Sequence, residues 1–378
     1  MASALNASLI GHRGSANRLQ TPALLIDLDL FEANLRRMQQ HCTSHGIALR
    51  PHAKTHKSVE IARRQIAAGA VGICCAKLGE AEVMAAGAID SILITSPIVT
   101  PAGIERLVQL NRRQPELLVV VDHPDNVDAL AQAAAESGKP LHVLLDLDPG
   151  LHRTGVPSIP QAVALAKRIA ERGSLVFRGL QMYAGHVMHV EKFEERRERS
   201  LAALRDLALC WTALRECGME CEIVSGGGTG SFDIDVEAHV LTELQAGSYA
   251  FMDRQYNELQ SRDGAGPPFA TSLFVQATVI SCNTPGRATT DAGFKAFATD
   301  AKPPLVHVGA PADASCFFFG DEYGGLSWRS NERVPLGSGL RLITPHCDPT
   351  FNLYDVVHVV RDDVLIDIWA IDARGRSA

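Results

Sequence analysis

The stretch "GIALRPHAKTHKS", residues 46–58, decides how the chain is read. Its first half is apolar enough for a buried strand. Its second half places His52, Lys54, His56 and Lys57 where that strand should end. As a solvated basic turn the segment would carry no chemistry. As the mouth of a barrel strand it would carry an amine able to form covalent bonds. The stretch alone leaves both readings open, so what surrounds it has to choose.

From Ile47 onward, short apolar runs alternate with longer amphipathic ones. The runs are "IALRPHA" (47–53), "VGICCA" (71–76), "SILITS" (91–96), "LLVVVD" (117–122), "LHVLLDLD" (141–148), "LVFRGLQMY" (175–183), "CEIVSGGG" (221–228) and "ELQAGSYAF" (243–251). Their Val, Ile and Leu content suits strands buried on both faces, as in a parallel sheet. "SVEIARRQIAAGA" (58–70) places Val59, Ile61, Ile66 and Ala67 roughly on one helical face, with Gly69 where a C-cap belongs. Eight evenly spaced strands separated by helices predict a (β/α)8 TIM-type barrel rather than an open, doubly wound sheet.

The style changes after about residue 265. Runs such as "SLFVQATVISC", "PLVHVG" and "DVVHVVRDDVLIDIWAID" are short and β-branched or aromatic, with Gly, Pro and Asp between them. They predict a mostly antiparallel β domain. The expected division is an N-terminal segment (1–21) packing with the β domain, a barrel (22–262) and a C-terminal β domain (263–378). "PALLIDLDLFEANLRRM" (22–38) reads as strand then helix, and its strand (22–29) is a candidate to be shared with the β domain.

Composition excludes several classes. A net charge of −7 argues against nucleic acid as the main partner. Charges interrupt every apolar run short of membrane-spanning length. "MASALNASLIGHRGSANRLQ" lacks the basic and apolar regions of a secretory signal. Nine cysteines without a C-x-x-C pair read as reduced thiols of a cytoplasmic protein.

Barrel active sites form at the C-terminal ends of the strands, with phosphate sites frequently in the loops after strands seven and eight. Those loops hold Ser225, Gly226, Gly227, Gly228 and Thr229, then Gly247, Ser248 and Tyr249. Glycines there let backbone N–H groups approach an anion, although a tight turn also needs them for steric reasons. A phosphate anchored opposite a lysine on strand one is a way to hold pyridoxal 5′-phosphate, with the amine in a Schiff base. Lys54 follows the strand and shares a face with His52 under the period-two rule. Lys57 is expected to begin the next helix. Arg153 could neutralise the cofactor's phenolic oxygen, and Tyr183 could stack on the ring or bond a substrate group. In "TPHCDPTFNLYD" (344–355), an extended backbone would project His346 and Asp348 to one side and Cys347 to the other. Nitrogen and oxygen ligands of this kind suit Mn2+, Mg2+ or Co2+, with Zn2+ also possible.

With these residues in hand, the chain resembles the fold-type III pyridoxal-phosphate enzymes, whose fold is alanine racemase-like. Within them it resembles the D-threonine aldolase and D-serine dehydratase branch. The resemblance rests on "RPHAKTHK", "HRTG", "SGGGTGS", "AGSYAFMD" and "PHCDPTFNLYD". It implies Lys54 as the cofactor lysine, Arg153 at the phenolic oxygen, and the Gly-rich run with Tyr249 at the phosphate. Gln245 falls where alanine racemase has an arginine at the pyridine nitrogen. His-x-Asp rather than His-x-Cys implies the aldolase side, with Mn2+ or a related cation. The implied activity is metal-dependent cleavage of D-threonine, D-allo-threonine and other D-β-hydroxy amino acids to glycine and an aldehyde. His52 is a candidate base for that reaction, beside Lys54 and Tyr183. The alternatives are a D-serine or D-threo-3-hydroxyaspartate dehydratase and a noncatalytic pyridoxal-phosphate-binding protein. A homodimer is also implied.

Overall fold

The computed structural model describes residues 5–378. These divide into two compact units. One comprises residues 38–54, 61–247 and 375–378, the other residues 5–37, 55–60 and 248–374.

The first unit is the barrel. Its strands are β2 (Ala48–Leu49), β3 (Ile73–Cys75), β4 (Ser91–Ile94), β5 (Glu116–Val121), β6 (Leu141–Leu147), β7 (Leu175–Met182), β8 (Ile223–Gly226) and β9 (Glu243–Leu244). All pair in parallel in the order β2-β9-β8-β7-β6-β5-β4-β3. The ring closes beyond β2, where His52 bridges Cys74 and Cys74 N donates to Pro51 O at 2.8 Å. All eight predicted strands are present, and they run parallel because helices return the chain to the same end each time. The residues of β5 from Leu117 to Val121 are all buried, as the unbroken apolar runs require.

Two strands are much shorter than their apolar runs. β2 stops after two residues, and the chain enters a 3-10 turn at Ala53–Thr55. Lys54 therefore sits on a turn, and the period-two argument that paired it with His52 does not apply. Lys57 does not begin the helix, which runs from Val59 to Ala67. It is a buried left-handed residue with φ 53°, whose carbonyl accepts from Ala373 N. β9 likewise gives way to a 3-10 turn at Ser248–Ala250.

The second unit is built on a nine-stranded sheet. Its strands are β1 (Ala23–Asp27), β10 (Leu273–Ser281), β11 (Arg287–Thr290), β12 (Leu305–Val308), β13 (Ser315–Phe318), β14 (Gly324–Ser327), β15 (Gly339–Ile343), β16 (Val356–Arg361) and β17 (Val364–Ala370). Pairing is antiparallel except between β1 and β16. β1 thus joins this sheet between β10 and β16 and not the barrel sheet that follows it in the chain. Its Ala23 and Leu25 pack with Ala16, Leu19, Phe274, Val360 and Leu365. The N-terminal segment follows β1: Ser15 Oγ accepts from Leu365 N, and Gln276 donates to Ala16 O. Residues 1–4 of the predicted segment lie outside the described residues. Among those described, no helix is long and apolar enough to cross a membrane.

Candidate active site

A cavity of about 220 Å³ opens among strand ends of the barrel, lined by His52, Lys54, Arg153, Gln181, Tyr183, Gln245 and their neighbours. A larger hollow, about 610 Å³, lies against Pro124, Gln161 and Arg168. That hollow holds no lysine, so the chemistry of the lining, rather than volume, identifies the site.

Lys54 reaches the cavity from its 3-10 turn, which His52 helps to set. Lys54 N donates to His52 Nδ1 at 3.4 Å, and His52 Nε2 meets Thr95 Oγ1 at 3.1 Å. The Thr95 hydroxyl hydrogen goes to Cys75 O. The ring is therefore the Nε2–H tautomer, with both nitrogens engaged.

Arg153 and Tyr183 form one wall, the guanidinium carbon lying 5.2 Å from the ring centre, a cation–π arrangement. Asp148 shapes the loop behind Arg153 by accepting from Gly150 N, His152 N and the His152 ring. The floor is a chain of amides. Gln245 Nε2 donates to Ser225 Oγ at 2.9 Å and to Gln181 Oε1 at 3.2 Å; Gln181 Nε2 donates to Asp146 Oδ1 at 3.0 Å. Asp146 Oδ2 accepts from Thr154 Oγ1 at 2.8 Å. Burial pushes the Asp146 carboxyl up to about 6, against these hydrogen bonds. Asp146 and Gln181 were missed by sequence reading. The available signal was a carboxylate inside the apolar run "LLDLD".

The turn after β8 is held from behind. An added Cβ would lie 2.4 Å from Met182 O at Gly226, 2.3 Å from Asp235 Oδ2 at Gly227, and 2.6 Å from Met188 Sδ at Gly228. Close packing alone thus demands these glycines. Ser225, Thr229, Gln245 and Gly247 belong to the barrel unit, Ser248 and Tyr249 to the β unit. Tyr249 is buried against Phe269, and Ser248 Oγ donates to Asp348 Oδ1 at 3.2 Å.

The extended backbone expected at His346–Asp348 is not found. His346 caps a short helix, Cys347–Phe351, so alternation along a strand cannot sort the three side chains. His346 Nδ1 meets Asp300 Oδ2 at 2.7 Å. A carboxylate behind an imidazole is the arrangement that prepares the other ring nitrogen for a metal. Cys347 is fully buried, its thiol pushed well above the usual range by burial, and its N–H bonds to Asp253. Among the described residues, no group of three or more His, Cys, Asp or Glu side chains forms a ready metal cage. A cation there would need water to complete its shell. Asp300 was also missed, because nothing in "FATDAKPP" marks it.

Fold and lysine-bearing cavity together define an alanine-racemase-like barrel with an appended β unit. The family description "Alanine racemase, N-terminal domain" matches residues 26–255, and "Putative serine dehydratase domain" matches residues 272–360. A D-threonine aldolase of Arthrobacter sp is 44% identical over 362 residues, 95% of this chain and 94% of that protein. A D-threonine aldolase structure from Filomicrobium marinum superposes with TM-score 0.92 at 38% identity, covering 95% of this chain and 97% of that one. The D-threo-3-hydroxyaspartate dehydratase of Delftia sp. HT23 superposes with TM-score 0.84 at 29% identity, covering 93% and 97%. The chain belongs to the fold-type III family of pyridoxal-phosphate enzymes, in the branch of the D-threonine aldolases and D-serine dehydratases.

Proposed function

We propose that this chain is a D-threonine aldolase, cleaving D-threonine reversibly to glycine and acetaldehyde and accepting other D-β-hydroxy amino acids, D-allo-threonine among them. The observation that carries aldolase over dehydratase is the greater likeness, over nearly the whole chain, to proteins named as aldolases. The cavity suits pyridoxal 5′-phosphate, with one lysine in its lining, a guanidinium on an aromatic ring and an amide floor. When bound, the cofactor supplies the electron sink for the pair left by Cα–Cβ cleavage.

The residues then divide the work. Lys54 Nζ holds the cofactor and afterwards returns a proton to the glycine Cα. Arg153 opposes negative charge on the cofactor's oxygen, and Tyr183 keeps the guanidinium in place from its flank. Ser225 to Thr229, with Gly247, would receive the phosphate. Gln245, its amide oriented by Gln181 and Ser225, would contact the cofactor ring. His52 sets the Lys54 turn and is the candidate base for the hydroxyl proton. His346 and Asp348 hold a divalent cation, Mn2+ first among Mg2+, Co2+ and Zn2+, and Asp300 orients His346. Such a cation supplies Lewis acidity toward a hydroxyl oxygen.

The chain is further proposed as a cytoplasmic homodimer. Support for the compartment is that all nine cysteines are unbridged; sedimentation would test the dimer. Incubation with D-threonine and Mn2+ tests the activity. Glycine with acetaldehyde is the expected outcome. 2-Oxobutanoate with ammonia would mean the dehydratase, and no turnover a noncatalytic pyridoxal-phosphate-binding protein.

A further inference from the structure

A buried carboxylate lies directly behind the glycine-rich turn. Asp235 is 2% exposed and accepts from Ser200 Oγ and Ser231 Oγ, each at 2.6 Å. The Gly228 N–H is directed at the same carboxylate. Ser200 comes from the helix Phe193–Glu216, while Gly228 and Ser231 belong to the turn. The turn folds so closely over this group that Gly227, at φ +69°, could bear no side chain without striking Oδ2.

The groups around Asp235 do not neutralise it. On the long helix, Arg196 donates to the carbonyls of Val190 and Glu191, and Arg197 pairs with Glu237. On its own short helix, Asp233 adds a second negative charge, itself opposed by Arg196. Met188 Sδ lies 3.8 Å from Ser231 Oγ, and Leu244 closes the side toward β9.

We propose that Asp235 is the positioning residue of the phosphate-receiving turn, and that it takes up one proton from solvent as the cofactor phosphate binds. This rests on the reading of Ser225–Thr229 as the phosphate site. Two anions sharing one desolvated turn repel. The proton goes to the more basic of them, the buried Asp235 rather than the phosphate, whose second pKa is about 6. Burial already raises Asp235 to about 7, so the proton is readily held near neutrality. Neutralisation also reverses a hydrogen bond. As a carboxylate, Asp235 accepts from Ser231; as an acid, it can donate to Ser231 Oγ and release the serine hydroxyl hydrogen.

The test is calorimetric titration of the full-length, cofactor-stripped chain at pH 8, in two buffers of different ionisation enthalpy. Pyridoxal 5′-phosphate is compared with pyridoxal, which has the aldehyde but no phosphate. The expected result is tighter binding of the phosphate form, with an extra uptake approaching one proton per chain. Asp235→Asn should abolish that difference. It should also bind the phosphate form about thirtyfold more tightly than wild type at pH 8.5, the two converging at pH 6. Equal affinity for the two ligands would overturn the phosphate site itself. Tighter binding of the phosphate form without the extra proton in wild type would overturn the role of Asp235 alone, whether or not the variant folds.

Discussion

Gln181 donates its amide N–H to Asp146 Oδ1 at 3.0 Å, both residues being buried. That bond orients Gln181 Oε1 toward Gln245, and Asp146 at the same time holds Thr154, the neighbour of Arg153. One carboxylate therefore steadies both the floor and a wall of the cavity.

Replacing it should show in two ways. Asp146→Asn presents an N–H where an acceptor is needed, toward Thr154 or Gln181. We expect kcat/KM to fall about tenfold to a hundredfold through misplacement of the lining. The second readout is stability against pH. Below about pH 4 the carboxyl is protonated in folded and unfolded chains alike. As pH rises from 3.8 to about 6, the unfolded chain ionises while the folded chain keeps its proton, so stability falls and then levels off. The loss is about 3 kcal/mol, an order-of-magnitude figure. Urea unfolding should show wild type losing this amount relative to Asp146→Asn across that window. Parallel curves would mean the carboxyl is not shifted.

Lys54→Ala should fold normally and fail to retain a borohydride-fixable yellow cofactor. Absorbance and peptide mapping after reduction check this. An adduct surviving in the variant, or mapping to Lys57, would displace the assignment.

Asp300 should matter for the metal rather than for the cofactor. Asp300→Asn is expected to weaken Mn2+ binding about tenfold to a hundredfold while leaving the cofactor spectrum unchanged. Asp348→Ala should abolish metal-dependent turnover with the cofactor still in place. Metal titration followed by activity separates these outcomes, and turnover that survives chelation would remove the cation from the proposal.

In the barrel interior, Arg50 meets Glu243 through two bonds of 2.9 and 2.7 Å, with side-chain exposures of 4% and 8%. Arg50 also donates to Ser91. Glu243→Ala would strand a buried guanidinium, at a cost of about 3–5 kcal/mol. Denaturant unfolding should show this as a lower midpoint. A change below about 1 kcal/mol would mean that water reaches Arg50.

Much of the fold was legible because it is periodic. Buried parallel strands read as unbroken apolar runs, helices as one-sided ones, and both patterns are local. The strand ends at Lys54, Arg153, Tyr183 and Gln245 were legible for the same reason, since a barrel gathers its strand ends at one face. Where local pattern misled, a turn replaced a strand: at Ala53–Thr55, and at His346, which caps a helix. In both places alternation was assumed to continue past its last pairing partner.

The sequence by itself determined the eightfold strand–helix alternation, the lysine at the end of the first strand, the glycine-rich turn after the seventh and the His-x-Asp segment. Each is a short-range pattern set by burial or by residue chemistry. Only the tertiary structure decided which atoms those residues have to use. His52 is occupied at both nitrogens, Gln181 is held by a carboxylate 35 positions away, and His346 is held by one 46 positions away. Those pairings depend on chain closure within each folded unit, and no periodicity in the sequence encodes them.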